Sequence, residues 1–154
     1  MNFKGGTAVA SLVEYPRHQV LPPVRTATFR NIGTVPIYAG RIVQLVDNNP
    51  DAVVICSDAD RAVGVAQETI EPGRYGAVGF EGYYIQSQSY IGALIAREVI
   101  TTAANIDTDL TVDASGMLVP ADAGQTVVAR TVSQTQIGDS QRVVVHFNPV
   151  YYKA

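Results

Sequence analysis

The chain has 154 residues, 47% of them apolar and 16% charged, with a net charge of −3. That balance is too apolar for disorder and supplies no basic face to neutralise phosphates, so neither a disordered chain nor a nucleic-acid partner is expected. No apolar run approaches the roughly 20 residues a membrane-spanning helix needs, so no membrane partner is expected either.

Residues 1–24 read as an extended N-terminal arm ahead of a β domain over 25–154. Gly5-Gly6, Pro16, Pro22 and Pro23 punctuate the arm, and proline restricts both itself and the residue before it. "TAVASLVEY" could form a short strand, and no continuous signal-peptide core is visible. Phe3, Leu12, Val13, Tyr15 and Val20 make the arm too apolar for a solvated tail. They are candidate anchors on the chain's own domain or on a neighbour.

From Arg25 the pattern is β. "RTATFRN" alternates, and "GTVPIYAG" is bounded by turn residues. "RIVQLVD" and "AVVICS" flank a turn at "NNPD"; "RAVGVAQ" and "RYGAVGFEGYYIQ" flank "ETIEPG", where Pro72-Gly73 suits a turn. Residues 87–105 are ambiguous, with strand favoured at 96–102 and a short helix possible at 90–96. "TDLTVDASGMLVPA" reads as a hairpin turning at Asp113–Gly116, and "QTVVARTVS" pairs with "QRVVVHFN" around Ile137-Gly138-Asp139. In "QRVVVHF", Val143, Val145 and Phe147 share one face and Arg142, Val144 and His146 the other, the pattern of a half-buried strand. Short strands at regular spacing with Gly, Pro, Asn and Asp turns predict an all-β barrel or sandwich.

The chain also resembles itself. "DADRAVGVAQETIEPGRYGAVGFEGYY" and "AGQTVVARTVSQTQIGDSQRVVVHFNPVYY" both run strand, polar stretch, Gly turn, strand, Phe, Tyr-Tyr. Upstream, residues 41–60 resemble 107–124. The predicted fold is therefore a small barrel or sandwich of two similar strand-turn-strand units, about 28–88 and 95–152. Each unit is marginal in size for its own core, so the two should pack together.

Motifs of chemistry fail one by one. His18 and His146 are the only histidines and suggest no third zinc ligand. The acidic loops "SDAD" and "DTD" lack an EF-hand's terminal Glu and read as solvated turns. There is no nucleophile elbow, P-loop or dinucleotide fingerprint. Lone Cys56 in "AVVICSD" reads as a small buried hydrophobe. Catalytic, cofactor and metal sites are thus all expected to be absent. Two observations point to partners instead. Lysine occurs only at 4 and 153, against nine arginines, and arginine suits interfaces better. Tyr83-Tyr84 and Tyr151-Tyr152 should each place one ring outward, which makes all four interface candidates.

Over about residues 30–147 the chain resembles the head decoration, or capsid cement, proteins of tailed phages. The resemblance rests on Gly40, Asp47, the acidic loop Asp58–Asp60, Gly64-Val65-Ala66, Gly73 and Val78, with the scheme repeated in the second half. It implies a β-rich homotrimer without cofactors, made in the host cytoplasm. Such a trimer sits on the virion surface and clamps neighbouring copies of the major capsid protein. The dUTP pyrophosphatases fit the length, but the hairpin Asp and Gly-rich tail of that family are missing. The alternative is a carbohydrate- or receptor-binding module of a phage fibre, against which the lack of tryptophan weighs.

Overall fold

The computed structural model of the chain describes residues 23–87, 98–137 and 140–153, with backbone alone at 136, 137, 140 and 150–153. The proposed arm up to residue 22, the possible helix at 90–96 and the Gly138 turn lie outside the described residues. The described residues are all-β, as the periodicity predicts. Among the described residues eleven strands are present: β1 Thr26–Asn31, β2 Ile42–Val46, β3 Asn49–Ile55, β4 Ala62–Ala66, β5 Tyr75–Gly79, β6 Gly82–Gln86, β7 Glu98–Val99, β8 Asp109–Val112, β9 Leu118–Pro120, β10 Thr126–Ile137 and β11 Ser140–Lys153.

They form two units. β1 to β5 close into a barrel in the order β1-β3-β2-β4-β5; β6 to β11 form a six-stranded sheet in the order β9-β8-β10-β11-β6-β7. One pairing scheme underlies both. The hairpin β2–β3 joins the hairpin β4–β5 through β2 and β4, and the hairpin β8–β9 joins β10–β11 through β8 and β10. In the barrel, β1 closes the circle, parallel to β3 and antiparallel to β5. In the sheet a pair of parallel strands takes that place. β6 runs antiparallel to β11, and the chain after β7 meets β9 in parallel at a single bridge, Thr101 to Leu118.

Three local expectations are corrected. The first hairpin turns at Asp47-Asn48, with Asn48 in the left-handed region at φ 57°, and "NPD" already belongs to β3. "RYGAVGFEGYYIQ" is two strands: the chain leaves the barrel at Phe80-Glu81, and Tyr83-Tyr84 lies in the other sheet. Gly82 permits this crossover, since a Cβ there would run into Val24. The second face of β11 is covered at Arg142 and Val144, where Glu98 and the Gln86 carbonyl meet the Arg142 guanidinium, whereas His146 on that face stays partly exposed.

The barrel interior holds Phe29, Val43, Val53, Ala66, Ile70 and Val78. A second cluster joins the units. Ile42, Cys56, Ala62 and Val65 from the barrel pack with Tyr84, Leu110, Leu118, Val128, Val143, Val145 and Phe147 from the sheet. Neighbours on a strand point to opposite faces. Val43 therefore fills the barrel while Ile42 faces outward, and both are wholly buried. The β2–β4 wall is apolar on both sides because the sheet covers its outside. Each such side chain contributes roughly 1.5–3 kcal/mol by leaving water. Burial also pushes the Cys56 thiol up to about 11, so it stays protonated at neutral pH.

Polar contacts align the seam. The Ile42 amide donates to the Gly116 carbonyl at 2.8 Å, and Arg41 Nη1 donates to the Ser115 carbonyl at 2.8 Å. Thr126 Oγ1 hydrogen-bonds Asp60. The 113–116 turn is held by Asp113, whose Oδ1 accepts from the amides of Ser115 and Met117. Burial alone would raise this carboxyl. The hydrogen bonds from the Ser115 hydroxyl and those two amides, with the Arg41 charge, outweigh it and hold the group below its usual value. Its contribution is present above the ordinary carboxylate value and is lost as pH falls through the lower folded one.

Gly116 sits at φ 81°, and a Cβ there would stand 2.9 Å from the Ile42 carbonyl oxygen. Gly116→Ala should cost about 1–3 kcal/mol, combining left-handed strain with a pushed seam, as read from the urea midpoint. Arg142 is buried with its Nη1 3.1 Å from Glu98 Oε2 and 3.0 Å from the Gln86 carbonyl. Among the described residues its Nε and Nη2 have no hydrogen-bond partner. Glu98→Ala should therefore cost about 3–5 kcal/mol by stranding the charge. The double change Glu98→Leu with Arg142→Met should cost far less in the same denaturation measurement.

Candidate interaction surface

Among the described residues, no group of three or more His, Cys, Asp or Glu side chains comes together. Two depressions are open to solvent. One, of about 620 Å³, lies along Leu45, Asp47, Asn48, Pro50 and Arg61; the other, of about 270 Å³, lies between Asp58, Asp60, Thr111 and Thr126. Their polar groups serve the fold. Arg61 Nη2 reaches Asp47 at 2.5 Å, and Asp58 Oδ1 caps a turn of 3-10 helix at Ala59–Arg61 by accepting from the Asp60 amide. The acidic loop "DTD" is likewise engaged, since Arg130 bonds Asp109 at 2.8 Å and Asp107 at 3.4 Å.

The interface candidates separate. Phe3, Leu12, Val13, Tyr15 and Val20 lie outside the described residues, and Tyr151 and Tyr152 are described as backbone on β11. Tyr84 is corrected. Its ring is wholly buried, edge-on to Phe147 at 6.3 Å, and its hydroxyl donates to the Phe80 carbonyl at 2.6 Å. It offers no area to a partner, because β6 turns that face into the shared core. Tyr83 is half-buried and stacks at 4.7 Å on His146, whose Nε2 lies 2.5 Å from Glu81. Across four strands this face reads Asp109, Arg130, His146, Tyr83, a row of cross-strand neighbours. Within it Asp109 and Arg130 neutralise one another.

A different surface stands out on the barrel, built on Asn31. The alternation of "TATFRN" turns Phe29 and Asn31 inward and Thr28 and Arg30 outward. Asn31 is wholly buried, and a buried amide must be satisfied. Its Nδ2 donates to the carbonyls of Val35 and Ile70, both at 2.9 Å. Its Oδ1 accepts from the Gly33 amide at 2.9 Å. Its backbone amide donates to the Arg74 carbonyl, and its carbonyl accepts from the Gly73 amide. One residue thus ties the loop at 32–35 to the turn at 71–74.

Around this hub lie exposed apolar groups: Ile32, Val35 at 53% and Tyr75 at 57% exposure. Tyr75 is the cross-strand neighbour of Arg30, so the two share the outer face, and its hydroxyl bonds Asp51 at 3.1 Å. Sequence reasoning passes over this site because its members are scattered over 30–35 and 70–75. The one available signal is an inward-phased Asn just before a Gly. Asn31→Ala should cost about 1–3 kcal/mol by removing the side-chain partner of the Val35 carbonyl and of the Gly33 amide, the Ile70 carbonyl keeping its bond from the Ile37 amide, with proteolysis quickening in the 32–36 loop.

No family model matches the chain, and no curated protein matches it in sequence. Among solved structures it is similar to the crystal structure of the N base of the head fiber gp8.5 of bacteriophage phi29. The TM-score is 0.56, with 16% identity, over 86% of this chain and 100% of that one. At that identity the likeness is one of fold, and it spans both the barrel and the sheet.

Proposed function

We propose that this chain is a structural, non-enzymatic protein of a phage virion that attaches to the outside of the assembled head. The observation that carries the reading is the fold shared with a head fiber base over 86% of the chain. The decoration-protein pattern in the sequence, from Gly40 to Val78 and repeated in the second half, supports the same class. The surface chemistry is consistent with it. Ile32, Val35, Tyr38 and Tyr75 are large apolar groups exposed to solvent, and such groups serve contact.

In the finer form of the proposal, the chain acts as a homotrimer that clamps neighbouring copies of the major capsid protein. Each subunit supplies a modest contact, and a symmetric oligomer engaging several shell subunits multiplies weak contacts through effective concentration. The test mixes the purified chain with assembled heads lacking it. Co-sedimentation, a solution mass of three chains and heads more resistant to heat are expected. A chain that stays in the supernatant at saturating concentration, yet is retained on a glycan array, would replace this reading with that of a fibre-type receptor module.

A further inference from the structure

We infer that the Asn31-centred end of the barrel is the docking face, and that its occupant is a protein surface with an apolar centre and carboxylates at its rim. On the reading above, on which this inference rests, that surface belongs to the shell. Three observations carry it.

The first is position. In the closed order β1-β3-β2-β4-β5, β1 lies opposite the boundary of β2 and β4. That boundary is the wall covered by the second unit. A face built on β1 and the start of β5 therefore points away from the seam.

The second is charge. Arg61, Arg130 and Arg142 all make ion pairs within the chain, whereas among the described residues Arg30 and Arg74 meet no carboxylate in one. Arg30 Nε only approaches the Gly73 carbonyl, at 3.4 Å. The nearby acids are Asp51, engaged by the Tyr75 hydroxyl, and Glu71, and neither forms an ion pair with these arginines. Two available guanidinium groups beside Ile32, Val35 and Tyr75 match an apolar patch rimmed by carboxylates. The two acids and the net charge of −3 disfavour a phosphate-rich partner.

The third is order. The hydrogen bonds of buried Asn31 hold the loop before any partner arrives, so docking does not have to order it. Ile106 and Val132, exposed on the second unit, also lie beside an ordered loop, tied at 105–108 by buried Thr131, but the arginine there, Arg130, is paired with Asp107 and Asp109.

The experiment measures binding of the full chain to assembled heads for three variants whose folding is verified by far-UV circular dichroism and melting. Arg30→Glu with Tyr75→Ala, and independently Ile32→Ser with Val35→Ser, should each weaken binding about a hundredfold. Ile106→Ser with Val132→Thr should bind like the natural chain. Unchanged binding by both face variants, while the natural chain binds, overturns this inference and leaves the proposed function standing. Failure of the natural chain to bind removes the function reading and the inference with it. Face variants that bind heads but change the solution mass show that the occupant is a second copy, which overturns the assignment to the shell.

Discussion

The structure depends on a seam that neither half can do without. The barrel turns Ile42, Cys56, Ala62 and Val65 outward, and these side chains leave water only because the sheet lies over them. The sheet in turn closes around Leu110, Leu118, Val145 and Phe147 against that same wall. Burying both faces of β2 and β4 is what makes two small units into one stable body. The seam also explains the 113–116 turn. Its tip must approach the β2 backbone closely enough for the Ile42 amide to reach the Gly116 carbonyl, which leaves no room for a side chain at 116.

The seam decides what is left for partners. With β2 and β4 consumed, the free wall of the barrel is the one carrying β1. There an inward Asn replaces the apolar residue that the alternation of β1 calls for. Its cost in lost apolar packing is offset by a set of hydrogen bonds that fixes two loops. The exposed groups beside it are therefore held in place. On the second unit the comparable outer row, Asp109, Arg130, His146 and Tyr83, spends its charges internally.

The repeated pairing scheme gives the two units different fates. In the barrel one strand, β1, closes the circle by itself. In the sheet the same task falls to β6 and β7, and closure is reduced to one bridge at Thr101. The wider arrangement holds the buried ion pair of Arg142 and Glu98, which links β11 to β7, two strands away in the same sheet. A polar group in that place satisfies the Gln86 carbonyl while the adjacent valines face the core.

Local physics in the chain by itself determined the all-β class, the Asp113–Gly116 and Pro72-Gly73 turns, the burial of Cys56 and the self-similarity of the halves. Each rests on alternation or turn chemistry within about ten residues. Tertiary structure alone decided the rest. Alternation says only that one ring of Tyr83-Tyr84 faces outward, and the crossover at Phe80-Glu81, which moves both into the second sheet, makes Tyr84 the buried one. Arg142 reads as a solvated residue on a half-buried strand until Glu98, 44 positions away, is brought against it. The Asn31 surface joins residues separated by some 40 positions through hydrogen bonds to backbone carbonyls, which every residue carries. No residue type in the sequence marks which carbonyl will be met. Periodicity reports which way a side chain points; only the closed barrel determines what it faces.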